Sequence, residues 1–270
     1  MSVKLTFIYF LEGGPDYGKN LVDSHIHVTM LPYEGLQAMA EGGVKKVITC
    51  AIVLAAQHAE SYFDHFRLIT GFYRKNAAAL GIQLYSAIGV HPAGIPHDWT
   101  RVVNALPDFL KTDGVVGMGE VGMNQGSQLE QDVLKAQLEI ARDCQVPIIV
   151  HIPFENRLPI MDLTLRIAGQ VAIPPHLLVI DHANLDIIEQ INQFGAVPAI
   201  TVRTRNVTLE VLSDNIDRFS NGMLNSDFSN LFPNDPTGVI KAFHHLRNLG
   251  IDEEIIDHLT CKRAESVFQI

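Results

Sequence analysis

At 270 residues, with 47% hydrophobic and 19% charged side chains, the chain carries enough apolar material for one large core and too much for a disordered segment. Thirty acidic residues against twenty basic ones give a net charge of −10, which disfavours an extended groove for a phosphate backbone. Three cysteines, Cys50, Cys144 and Cys261, show no paired spacing, which argues against a disulfide framework and for a reducing, cytoplasmic setting.

Residues 1–20 hold one apolar run, Leu5 to Leu11, followed by Glu12-Gly13-Gly14-Pro15-Asp16. The run is short for a secretory core and no small-residue cleavage site follows it, so 1–20 reads as an N-terminal extension to a domain spanning 21–270. No stretch approaches the ~18 apolar residues of a membrane span, and no membrane partner is expected.

From residue 21 short apolar runs alternate with longer amphipathic stretches. The runs are 21–27, 46–53, 83–90, 115–121, 146–151, 177–182, 196–202 and 222–227. Between them, stretches such as 128–144 repeat apolar residues at helical spacing. Nearly continuous apolar runs are the mark of parallel strands buried on both faces. Eight of them alternating with helices predict an α/β protein, a (β/α)8 TIM barrel, which needs about 250 residues. Residues 236–268 predict two or three closing helices. A doubly wound open sheet is the alternative.

Metal-capable side chains cluster at five of the predicted strand ends. The first run ends His25-Ile26-His27; residues two apart on a strand project to one side, so both imidazoles can reach one ion. Asp23 shares that face and is expected to orient a histidine from below. The fourth run ends Gly119-Glu120-Val121-Gly122, offering a carboxylate whose two oxygens suit a bridge between cations. The fifth ends in His151 and the sixth in Asp181-His182. Of that pair one residue is expected to face the lumen; His182 is assigned to it and Asp181 to the helix layer as a structural acceptor. The eighth ends Ser226-Asp227. Each residue alone has an ordinary structural explanation, but the positions together fall where barrel enzymes gather their chemistry. Four imidazoles and two carboxylates suit two divalent cations, zinc or manganese ahead of magnesium.

Softer candidates surround these. His91 ends the third run and is expected to face the pocket, where it could bond a substrate oxygen; Arg157, Arg203 and Arg205 follow the fifth and seventh and suit an anionic group. Cys50 ends the second run without the basic neighbour a nucleophile needs. Residues 54–66 are expected to wall the pocket, and the remaining histidines receive no chemistry.

The string Asp23-Ser24-His25-Ile26-His27, then Gly89-Val90-His91-Pro92, Gly119-Glu120-Val121-Gly122, Val150-His151, His182 and Asp227, resembles the TatD-like branch of the amidohydrolase superfamily. The resemblance implies His25 and His27 on one metal, His151 and His182 on a second, Glu120 bridging, and Asp227 as both ligand and proton acceptor for the attacking water. Better-studied relatives are metal-dependent deoxyribonucleases. Their ligand neighbours differ from the ones here: Asn225-Ser226-Asp227-Phe228-Ser229 stands where they carry Glu-Thr-Asp, and Met123-Asn124 and Ile152-Pro153 replace Leu-Asp and Ser-Arg. With the acidic balance, this favours hydrolysis of a phosphoester, lactone or amide bond in a small molecule. A deoxyribonuclease with nucleic acid as substrate and a non-catalytic metal-binding protein are the alternatives.

Overall fold

The computed structural model describes residues 20–231 and 234–270, so the expected N-terminal extension lies outside it but for Asn20. Eight strands are described: β1 (Leu21–Ile26), β2 (Val44–Cys50), β3 (Gln83–Ile88), β4 (Val115–Gly122), β5 (Ile148–His151), β6 (Leu178–Ile180), β7 (Val197–Thr201) and β8 (Met223–Asn225). Each pairs in parallel with the next, in order of sequence. The ring is drawn shut by a parallel bridge between Ile26 and Phe228 and by two backbone bonds, Asp227 N–H to His25 C=O and His27 N–H to Phe228 C=O, both 2.9 Å. This is the (β/α)8 barrel, with all eight predicted runs as its strands. Among the described residues no helix is long and apolar enough to cross a membrane.

Side-chain alternation sorts the strands into two cores. Leu21, Val47, Ile148, Leu178 and Leu224 face outward against the helices, while Val22, Ile48, Ile149, Val179 and Met223 fill the lumen. The C-terminal helices end at Arg263–Phe268, and Ala264 and Phe268 join the luminal cluster, plugging the end of the barrel opposite the site. The site itself is aimed by two irregularities. Between Asp23 and Ile26 β1 advances three residues while β2 advances two, from Val47 to Thr49; between Met118 and Val121 β4 does the same against β5. An extra residue in one strand turns the side chain next to it. Outward-facing Met118 and Val121 thus leave Glu120 between them pointing inward, and Ile26 leaves His25 inward in the same way. Gly122 follows from the close pairing here: a Cβ on it would meet the His151 carbonyl oxygen at 2.6 Å.

Residues 54–66 differ from the expected pocket wall. Ala59–Leu68 is a helix, with Ala59, Tyr62 and Phe66 buried beneath it. Their spacing is a helical stripe directed at the core, which leaves only the residues before Ala59 as loop.

The loop after β4 is organised by one carboxylate. Ser127 caps the helix Gln128–Cys144 in a capping box, and Glu130 accepts from Asn124 N (2.9 Å), Gln125 N (3.1 Å) and Ser127 N (2.9 Å). Burial works against its charge, but these donors outweigh burial and hold its pKa below the ordinary value of 4.5. A carboxyl depressed on folding stabilises above its unfolded pKa and loses that contribution as the pH falls through its folded value. Glu130→Gln is therefore expected to cost about 1–2 kcal/mol at pH 7. Thermal melts across pH should show the gap from the parent closing below the ordinary carboxylate range; a gap that persists there would contradict this account.

Candidate metal centre

At the C-terminal rim the side chains from β1, β4, β5, β6 and β8 converge. Glu120 lies at the middle, 2% exposed. Its Oε2 faces His25 Nε2 at 3.5 Å and His27 Nε2 at 3.3 Å; its Oε1 faces His151 Nδ1 at 3.0 Å and His182 Nε2 at 3.4 Å. Each oxygen of the carboxylate thus addresses its own pair of imidazoles. Asp227 closes the β1 side, with Oδ1 3.4 Å from His27 Nε2 and 3.8 Å from His25 Nε2. All six predicted ligands meet in one cluster.

The imidazoles are oriented from behind. His25 Nδ1–H donates to Asp181 Oδ2, His27 Nδ1–H to the Cys50 carbonyl (3.2 Å) and His182 Nδ1–H to Thr201 Oγ1 (2.9 Å). Such partners leave each Nε2 lone pair directed inward. His25 Nε2 is buried with no hydrogen-bond partner among the described residues. A lone pair left bare between carboxylate oxygens is what a cation would satisfy, and the imidazole and carboxylate donors fit a borderline divalent ion. The electrostatics agree. Burial opposes ionisation of Glu120, yet His25, His151 and the bonds from His151 and His182 hold it well below the carboxylate range. Burial likewise opposes the charge on Asp227, and His182, His27, His25 and Arg203 hold it well below. Burial draws His25 and His27 down, but the acidic groups around them outweigh it, lifting His25 well above its ordinary value and His27 to about 9, so each Nε2 attracts either a proton or a cation. The cluster demands positive charge.

The expectations for two carboxylates change. Asp181 lies in the lumen rather than the helix layer: it follows inward-facing Val179 by two residues, orients His25, and accepts from Asn225 Nδ2 at 2.8 Å. His182 also reaches the site because the chain leaves the strand after Ile180 and takes a left-handed φ of 55° at His182. Asp23, expected to orient an imidazole, instead accepts from the backbone N–H of His25 (3.3 Å) and Ser226 (3.1 Å), tying β1 to β8; burial lifts its pKa to about 7.

A cleft of about 1450 Å³ opens beside the cluster, its walls including Asn124, His151, Phe154, Arg203, Arg205 and Lys241. Arg203 Nη1 donates to Asp227 Oδ2 at 2.7 Å and its guanidinium lies 4.9 Å from the Phe154 ring centre. Phe154 in turn stacks on His182, with 5.5 Å between ring centres. Arg157 is arranged otherwise than expected: Nη1 donates to the His182 carbonyl (2.7 Å) and to Asn206 Oδ1 (3.2 Å), tying strand ends together. His91 turns towards Glu120, Nε2 to Oε2 3.4 Å. Sequence reasoning missed Phe154 and Thr201; the parity of Val179 was the available signal for Asp181.

Imidazoles and carboxylates gathered on the rim of a parallel barrel define a metal-dependent hydrolase. The model of the family described as TatD related DNase matches residues 22–214, and the chain belongs to the TatD family. An uncharacterized metal-dependent hydrolase of Methanocaldococcus jannaschii is 29% identical over 252 residues, covering 93% of this chain and 100% of that protein. The crystal structure of a TatD-like protein from Archaeoglobus fulgidus is 26% identical, with a TM-score of 0.81 over 92% of this chain and 100% of that one. A phosphotriesterase homology protein from Escherichia coli, 18% identical, shares the fold with a TM-score of 0.70 over 93% of this chain and 99% of its own.

Proposed function

We propose that the chain holds two divalent cations, zinc or manganese, and hydrolyses a phosphoester, lactone or amide bond in a small molecule. The observation that carries this reading is the division of Glu120, with one oxygen towards His25 and His27 and the other towards His151 and His182. His25, His27 and Asp227 would hold one cation, His151 and His182 the second, and Glu120 both. A divalent ion so held would supply Lewis acidity and could bring the pKa of a water from 15.7 down to about 7. Asp227 takes the proton of the attacking water and passes it to the leaving group. Arg203, bonded to Asp227 Oδ2, keeps that carboxylate ionised and turned towards His27. Arg203 and Arg205 contact the substrate from the cleft wall, whereas Arg157 acts through the strand ends it ties.

Glu155, Glu210 and Asp235 offset Arg203, Arg205 and Lys241 on the cleft wall, so it lacks the net positive charge a polyphosphate strand would call for, which supports a small molecule. One observation favours a nuclease instead: the cleft exceeds the roughly 300–1,000 Å³ of a usual small-molecule pocket. The test is metal analysis of the purified protein followed by assays on a γ-lactone, an N-acyl amino acid, bis(4-nitrophenyl) phosphate and a single-stranded DNA oligonucleotide. Two metals per chain with turnover of a small substrate are expected. Release of mononucleotides alone would transfer the assignment to the nuclease, and less than one metal per chain would leave a protein without this chemistry.

A further inference from the structure

His91 stands at the edge of the cluster in a position that invites two opposite readings. Ligand atoms of His91, Glu120 and His151 lie within 4.8 Å of one another, which is close enough for a cation. The ring's other nitrogen decides between them. His91 Nδ1 accepts the backbone N–H of Ala93 at 3.0 Å. Its lone pair is therefore engaged, and a neutral imidazole in that state carries its hydrogen on Nε2. Nε2 is the atom directed at Glu120 Oε2. We infer that His91 serves this centre as a fixed, neutral N–H donor to Glu120 and not as a cation ligand, and that Tyr62 and Gln137 are the residues that aim it. The inference rests on the reading of Glu120 as the bridging carboxylate.

The aiming is done through the backbone on both sides of the ring. Gln137, fully buried on the helix Gln128–Cys144, accepts from Val90 N at 2.7 Å and donates to Val90 O at 3.2 Å. Tyr62, fully buried on the helix Ala59–Leu68, accepts from His91 N at 3.1 Å and donates to Gly94 O at 3.1 Å. Ala93 is held as well, its carbonyl accepting from Ala55 N at 3.2 Å. The loops after β2 and β3 press so closely that a Cβ on Gly94 would fall 1.6 Å from Val53 O. Two polar side chains from separate helices are thus buried to satisfy one short segment that water would satisfy on an open surface. The segment's single side chain directed at the metal cluster is His91. A ring locked in one tautomer and place can bond the bridging carboxylate without competing for a cation, as partners behind metal ligands do elsewhere.

Three readouts on the intact protein test this. In ¹⁵N-histidine-labelled protein, long-range ¹H–¹⁵N spectra should show His91 protonated at Nε2 and bare at Nδ1, with zinc and without it. His91→Leu should keep the parent's number of zinc ions per chain while lowering kcat on bis(4-nitrophenyl) phosphate about 10- to 100-fold at unchanged KM. His91→Gln, whose side-chain amide donates from nearly the same place, should recover most of that loss. Tyr62→Phe should lower kcat about tenfold, again at full zinc content. Loss of one zinc ion in His91→Leu or His91→Gln would overturn the inference, as would a proton on Nδ1. Parental kcat in Tyr62→Phe beside a crippled His91→Leu would overturn the aiming role. Should the parent take up no zinc, the metal-centre reading fails, and the tautomer spectrum, which needs neither metal nor substrate, still decides the state of His91.

Discussion

Asp227→Asn is expected to leave the barrel folded and its cations bound while lowering turnover by about 10²- to 10⁴-fold, the range of a lost general base. An amide oxygen can still approach His25 and His27 where Asp227 Oδ1 lies now, 3.8 and 3.4 Å from their Nε2 atoms. It cannot accept a proton near neutral pH. The substitution also removes the negative partner of Arg203, 2.7 Å from Oδ2, which frees that guanidinium in the cleft. Metal analysis and a full kinetic profile of the variant check this together. Unaltered kcat with bound metal would end the proton-acceptor role, and loss of metal would make Asp227 a ligand first.

Glu120→Gln should do more damage by a different route. It keeps shape and hydrogen-bonding capacity but removes the charge that faces four imidazoles, from His25 and His27 on one side to His151 and His182 on the other. No other described carboxylate stands between the two pairs in that way. Loss of at least one cation per chain is expected, with activity falling on the order of 10³-fold or more once the Lewis acid is gone. Metal content by mass spectrometry, read beside activity at saturating zinc, distinguishes weakened binding from a failed reaction. A variant that retains both cations would remove Glu120 from the bridge.

Asp227 and Glu120 were legible in the sequence only jointly, because each alone has an ordinary structural explanation, whereas together with the histidines they fall at the ends of apolar runs where a barrel gathers its chemistry. The same holds for His25, His27, His151 and His182. Eight such runs separated by helical stretches made the barrel itself readable, since a parallel strand buried on both faces leaves a nearly continuous apolar signature. What could not be read was orientation. Asp181 and His182 are neighbours, and strict alternation allows the lumen only one of them. Both enter because the strand stops at Ile180 and His182 adopts a left-handed backbone. Phe154, and the tie that Arg157 makes in place of its expected anion contact, were equally hidden, as they depend on the ring of His182 and the carbonyl of that same residue brought near from another strand. The order of runs and the chemistry at their ends are local properties, carried by periodicity and residue type. Which nitrogen of a histidine is bare, and which carboxylate stands behind it, depends on side chains as distant as the 156 residues separating His25 from Asp181, and closure of the ring alone brings those together.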